Sequence, residues 1–358
     1  MSTENILESD WYNYLDTFLK SPAVIGSEQP LIDTIEEEMS KLNLKTKSYL
    51  GLLEVSGTDP ESIFLSIHID RHGLVCTGPG EFQYAAFIAK YHSDLDGNSI
   101  SEQTYKSLLK RFCNQQVYAY SPCSGKAIAK GTINSSHMCP LRDSIIFKIN
   151  GIDEIPAGVP ISYEPNIVIE EGRVSAQLDN VLLVSVVAAL FKQGFQGTAL
   201  FTTQEEAGRS WRYIEEYFVR KDAPPRNLLV LDTSPFPSDQ DADAQSVVLR
   251  NKDANASFDP RITKEIEDRC ESLGITYRYK DLFIDNLNKE REKENSHPMS
   301  YGRTELGRLV HATNGRMNGS SIQIPTTGYH TTSETAKIQA IEDAVSYTHL
   351  TLPTKRIV

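Results

Sequence analysis

Cysteine is sparse and scattered. The five residues Cys76, Cys113, Cys123, Cys139 and Cys270 form no C-x-x-C pair, which argues against a disulfide framework or a cysteine-ligated zinc and makes a reduced, cytoplasmic setting the expectation. Basic charge is also short: 36 Lys and Arg face 48 Asp and Glu, a net charge of −12 at pH 7. That balance argues against nucleic acid or an anionic membrane as the main partner and favours a cation. Long hydrophobic runs are missing, since the longest, Val181 to Phe191, is too short to cross a bilayer. The N-terminus, "MSTENILESDW", lacks the basic-then-apolar layout of a signal peptide. There is no internal repeat and no low-complexity tract.

What remains is a soluble globular composition, 39% apolar and 23% charged over 358 residues, long enough for one large or two ordinary domains. Near the start, "WYNYLDTFLK" and "PLIDTIEEEMSKL" carry apolar residues at helical spacing, and "SIFLSIHI" is apolar on both faces, as in the middle of a covered sheet. From about Val75 to Ile169 the pattern changes. Short β-like pieces ("QQVYAYS", "GKAIAKGTI", "SIIFKI", "VPISYE") alternate with turn residues, interrupted by one helical stretch, "SEQTYKSLLKRFC". This reads as a small β domain set inside a larger α/β domain. From Arg173 helices and strands alternate again: "NVLLVSVVAALFKQG" is a buried helix, "GTALFTT", "NLLVLDT" and "SSIQIPT" are strands, and "DPRITKEIEDRCESLG" is an amphipathic helix with Asp259 as N-cap and Gly274 closing it.

Five polar spots fall at ends of these strands, where open α/β sheets place ligands: "HID" (His68, Asp70), "QLDN" (Asp179), "QEE" (Glu205, Glu206), "LDTS" (Asp232) and "GYHTTSE" (His330). Each alone has an ordinary explanation: a hydrogen-bonded structural histidine, a helix N-cap at Asp179, a turn cap at Asp232, a loop residue at His330. Taken together they supply imidazole nitrogen and carboxylate oxygen without thiolate, a sensible shell for catalytic zinc or a similar divalent ion. A two-metal site needs one bridging carboxylate and one carboxylate left free to take a proton from water. The inventory contains one of each.

In the motifs "GRVSAQLDN", "TTQEEAG", "LDTS" and "FDPRITKEIEDRCESLGI", the chain resembles the tetrahedral (TET-type) di-zinc aminopeptidases, the glutamyl aminopeptidase and endoglucanase-M-like metallopeptidases. The resemblance runs from about Ser21 to Glu342, and the interval of about 110 residues between His68 and Asp179 suits the inserted domain of that family. It implies a three-layer α/β/α sandwich with a mostly parallel mixed sheet and an inserted small β-barrel-like domain. The expected divisions are 1–74 and 170–344 for the catalytic domain and 75–169 for the insert, which would serve substrate access or oligomerisation. It further implies His68, Asp179 and Asp232 around one metal and Asp179, Glu206 and His330 around the other, with Asp70 orienting His68 and Glu205 as general base. The ions would be two divalent cations, zinc by expectation, with cobalt or manganese as alternatives. The substrates would be small peptides, and the assembly a homo-oligomer.

The sequence departs from the family pattern near the site. Arg71-His72 follows His-x-Asp where the family has Glu, "GRTE" (Gly302 to Glu305) replaces a "GGTD"-like segment, "GRSW" follows the Glu pair, and Thr331-Thr332 stands where Ser-Pro is usual. His72 is expected behind the ligands or in solvent, because H-x-D-x-H does not match the H-x-H-x-D-H of metallo-β-lactamases. Arg71, Arg209 and Arg303 are the candidate cations for an acidic-substrate pocket. Two other functions fit the same residues: a di-metal amidohydrolase or deacylase acting on a non-peptide amide, and a non-catalytic relative with a structural metal site. Finally, Val345 to Pro353 resembles the translation of a transposon-end sequencing adaptor, so 345–358 is expected to be a non-native tail.

Overall fold

The computed structural model describes residues 3–86, 95–96, 99–142 and 144–350. Its centre is a mixed sheet of eleven strands in which Thr198–Thr202, Phe64–His68, Leu228–Pro235 and Ser320–Thr327 lie side by side and parallel. Antiparallel strands flank this parallel centre, Lys45–Tyr49 and Leu52–Ser56 on one side and Glu334–Lys337, Arg173–Ala176 and Val168–Glu170 on the other. Two short strands, Val247–Leu249 and Tyr277–Tyr279, attach beside Ser320–Thr327.

The central strands are apolar at successive positions because both faces are covered. Side chains alternate across a strand, and here the alternation feeds two separate cores. Leu65, Ile67, Leu229 and Leu231 pack with the helices Asp10–Lys20, Gln29–Lys41, Val181–Lys192 and Pro260–Leu273. Phe64, Leu228, Val230 and Leu200 face the other way, onto Ser210–Arg220 and Glu305–Ala312. The result is the three-layer α/β/α arrangement expected from the sequence. The helix Val181–Lys192 is the most deeply placed, with every residue from Val181 to Phe191 buried.

Between Leu74 and Tyr163 six strands close into a barrel, in the order Ser144–Asn150, Glu81–Tyr84, Leu74–Gly78, Pro160–Tyr163, Gln116–Tyr120 and Ala127–Cys139. The helix Glu102–Phe112 starts at Ser101, whose hydroxyl accepts from the Thr104 amide at 3.2 Å, and buries Leu108 and Phe112 in the barrel core.

Two further local readings have clear causes. Asp259 caps Pro260–Leu273 by accepting from the amides of Arg261 (2.9 Å) and Ile262 (3.3 Å), and Gly274 closes it at φ +68°. Asp259→Ala is expected to lower stability by about 1 kcal/mol, read as a lower thermal midpoint. An unchanged midpoint would mean the cap is redundant. The helix Ile338–Leu350 follows the strand Glu334–Lys337 and reaches into the expected non-native tail, of which 351–358 lie outside the described residues.

Candidate active site

Parallel pairing brings the candidate residues together. The register Thr202↔His68 and Leu231↔Ile67 aligns three strand ends, so His68, the loop after Thr202, and Asp232 converge. Asp179 arrives from the turn before Val181–Lys192, and His330 from the turn after Ser320–Thr327. His68 Nε2 lies 3.3 Å from Asp179 Oδ1 and 3.4 Å from Asp232 Oδ1. His330 Nε2 lies 3.6 Å from the other Asp179 oxygen and 3.4 Å from Glu206 Oε1. Asp179 therefore joins two clusters of nitrogen and oxygen donors.

It is not the helix cap it could have been. The cap position belongs to Asn180, which makes no side-chain capping bond, and Asp179 Oδ1 is buried without a hydrogen-bond partner. Glu334 holds this arrangement from beneath: its carboxylate accepts from the Asp179 amide at 2.8 Å and from the His330 amide at 2.7 Å. Glu334 lies within the "GYHTTSE" segment but was assigned no role from sequence. Its position depends on the antiparallel register Ala176↔Glu334, which no local motif announces.

The adjacent glutamates are placed by Asp70. Its two carboxylate oxygens accept from the amides of Glu205 (2.9 Å) and Glu206 (3.0 Å). The chain turns at Gln204, at φ +60°, and again at Gly208, at φ +70°. A non-glycine residue in that conformation costs about 1 kcal/mol or more, which the two charge-assisted bonds to Asp70 offset. Asp70 is fully buried and 3.6 Å from His68 Nδ1, beyond a good hydrogen bond, and that nitrogen has no partner. Arg308 Nη1 donates to the Glu205 carbonyl at 3.2 Å and lies 3.8 Å from its carboxylate.

The electrostatics describe a centre that lacks positive charge. Burial pushes Glu205 up to about 8, and burial followed by the charges of Asp179 and Glu205 pushes Glu206 well above the usual carboxylate range. Burial likewise raises Asp232. Burial is the largest influence on Asp179 and raises it, but the imidazoles of His330 and His68 beside it together outweigh burial, so its carboxyl stays below the usual range. Burial opposes charge on His68, yet Asp179, Asp232 and Asp70 raise it well above its ordinary value. Burial lowers His330 to about 4, leaving a neutral imidazole with a lone pair to offer.

Divalent cations fit these residues. Tetrahedral coordination with bonds of about 2.0–2.2 Å requires donor atoms about 3.3–3.6 Å apart, and the four donor separations above are 3.3, 3.4, 3.4 and 3.6 Å. Two donor groups that could each hold an ion stand out among the described residues: His68, Asp179 and Asp232, and His72, Glu206 and His330.

The site opens into a cavity of about 410 Å³ whose wall includes Phe236, Phe283, Tyr301 and the cations Arg250, Lys280 and Arg303. Arg303 therefore lines this cavity. Arg71 does not: it is buried and donates to the carbonyls of Leu19 and Ser21, away from the cavity. Arg209 is not among the lining residues. His72 is not in solvent but buried beside Glu206 and His330.

The sequence profile of the M42 glutamyl aminopeptidase family matches residues 152–346, more than half of the chain. No protein of curated function matches in sequence. Solved structures that share the fold include a TET aminopeptidase from a marine-sediment archaeon of the Thaumarchaeota, with 16% identity, 97% of this chain and 98% of that one covered, and a TM-score of 0.70. The TET1 peptidase of Pyrococcus horikoshii, which can assemble into a tetrahedron or a large octahedral shell, has 18% identity over 95% of this chain and 98% of that one, at a TM-score of 0.66. An endoglucanase from Thermotoga maritima has 16% identity, 95% and 96% coverage, and a TM-score of 0.63. The profile match and the shared fold lead to one conclusion: the chain belongs to the M42 glutamyl aminopeptidase family of peptidases.

Proposed function

We propose that the protein is a metal-dependent aminopeptidase that removes N-terminal residues from small peptides at the Asp179-centred site. The observation that carries this reading is the pair of donor clusters joined by Asp179 at the floor of a cavity large enough for a peptide end. His68, Asp179 and Asp232 would hold one divalent ion, and Asp179, Glu206 and His330 the other, with zinc the first choice from the nitrogen and carboxylate donors. Such ions would supply the Lewis acidity that polarises the scissile carbonyl and acidifies the attacking water.

The chain's own groups do the rest. Glu205 lines the cavity beside the clusters without belonging to either, so its carboxylate is free to take a proton from the water and deliver it to the departing amine. Asp70 fixes the Glu205–Glu206 turn, which sends two neighbouring carboxylates to different tasks. Glu334 fixes the backbone at Asp179 and His330. Arg250 and Arg303 give the wall a cationic character suited to an acidic side chain on the substrate, while burial lowers Lys280 beside them to about 7.

A homo-oligomer and a cytoplasmic setting complete the proposal. On the barrel, Ile128 and Leu141 are exposed apolar side chains that assembly would cover. No helix among the described residues is long and apolar enough to cross a membrane.

Release of N-terminal residues from unblocked peptides, compared with hydrolysis of N-acylated amino acids, separates this function from a deacylase. Peptides beginning with Glu should turn over fastest, and N-acylated amino acids should not react. Absence of turnover on every unblocked peptide with zinc, cobalt or manganese present would reject the aminopeptidase reading.

A further inference from the structure

His72 occupies a position that the resemblance places outside the ligands, yet its ring is packed into the site. It is 3% exposed, and its ring centroid is 3.6 Å from that of His330, the planes inclined at 37°. Nδ1 meets the Tyr84 hydroxyl, and the two rings lie nearly parallel, 15° apart. Nε2 points at Glu206 Oε1 from 2.7 Å, but the pair is not aligned as a hydrogen bond, and Nε2 is a buried nitrogen without a partner. Two tautomers satisfy Tyr84. With the proton on Nε2, it would be directed at Glu206 in a geometry that does not bond. With the proton on Nδ1 and donated to the phenolic oxygen, Nε2 presents a lone pair to the space shared with Glu206 and His330. That second arrangement is how ligand histidines are commonly held: one nitrogen fixed by a hydrogen bond, the other turned to a cation. The ligand atoms of His72, Glu206 and His330 all lie within 4.8 Å of one another; Nε2 and Glu206 Oε1, at 2.7 Å, are closer than two donors to one tetrahedral ion and would have to part to about 3.3 Å to share it.

We infer that His72 is a fourth protein donor to the subsite of Asp179, Glu206 and His330, completing a closed shell of two imidazoles and two carboxylates. The subsite of His68, Asp179 and Asp232 has three protein donors and keeps an open position. This inference rests on the two-metal reading above. Four protein ligands is the pattern of a retained, structural zinc, and three with an open position is the pattern of a catalytic one. The pair of ions is then unequal. The His72 side holds its ion tightly and contributes charge, while the open His68 side faces the substrate. The added nitrogen also shifts that subsite from manganese towards zinc.

The test is equilibrium dialysis of Zn²⁺ and Mn²⁺ against chelator-stripped protein, comparing wild type with His72→Leu and His72→Gln. Thermal unfolding of each apoprotein serves as the fold control. Wild type should take up two equivalents of Zn²⁺. Both variants should keep one at wild-type affinity and bind the other at least about tenfold more weakly, since even residues behind a ligand change affinity by about 10–100-fold. The variants should also lose the preference of that equivalent for Zn²⁺ over Mn²⁺. Two equivalents of unchanged affinity in the variants would overturn the role of His72 while leaving the two-metal reading intact. Fewer than two equivalents in wild type would overturn both. If the substitutions prevent folding, the visible spectrum of Co²⁺-loaded wild type decides: the tighter equivalent should show the intense absorption of a four-coordinate ion, and weak six-coordinate absorption would contradict the closed shell.

Discussion

Glu205→Gln is expected to lower kcat on an unblocked peptide by about 10²–10⁴-fold while the bound-metal content stays at the wild-type value. The separation of the two effects follows from where Glu205 sits. Its carboxylate is part of neither donor cluster, and its backbone is held independently, by Asp70 through the amide and by Arg308 through the carbonyl. Glutamine keeps the size and much of the polarity of the side chain, so the turn and the neighbouring Glu206 should stay in place. What it cannot do is accept a proton from water and pass it on. Burial already holds the Glu205 carboxyl up to about 8, so a neutral amide in its place gives up no charge the fold depends on, and the variant is expected to be at least as stable as wild type. Full activity in Glu205→Gln would take the proton-transfer role away from this residue. Loss of metal would instead make Glu205 a ligand.

Asp179→Ala is expected to weaken the binding of both metals and to lower kcat/KM by about 10³-fold or more, the equivalent of several kcal/mol of transition-state stabilisation. Asp179 is the residue that reaches both clusters, one oxygen towards His68 and the other towards His330. Its loss leaves His68 with Asp232 and Asp70, and leaves Glu206 crowded by the remaining carboxylates without a shared cation. Asp232→Ala, by contrast, should empty the His68 side alone. Metal analysis of the two variants separates a bridging residue from a one-sided ligand. Retention of one full equivalent in Asp179→Ala would show that the clusters are independent.

The arrangement was legible in the sequence to the extent that it is carried by strand ends. His68, Asp232 and the Glu pair each follow a short, strongly apolar stretch, and once those stretches pair in parallel their ends must meet. The inserted barrel was legible for a similar reason: its turn-rich β pieces differ in kind from the alternating helices and strands around them. Contacts that depend on tertiary closure were not. Glu334 reads as an ordinary polar residue until antiparallel pairing with Ala176 brings it under Asp179 and His330. Asp70 reads as the partner of its near neighbour His68, yet its hydrogen bonds go to amides 135 and 136 positions away. His72 looked like a departure from a motif because spacing along the chain says nothing of a ring that folds back beside His330. Arg71 failed as a substrate contact for the converse reason: its long side chain reaches the end of the helix Asp10–Lys20.

The claim on which the account depends is that Asp179, Glu206 and Asp232, with His68 and His330, are gathered to hold two divalent cations. Metal analysis of the purified, full-length protein tests it most directly. The prediction is two equivalents of a divalent ion per chain, both removed by a strong chelator and both restored by added zinc. A protein that retains no divalent ion and takes up none at micromolar zinc would contradict it.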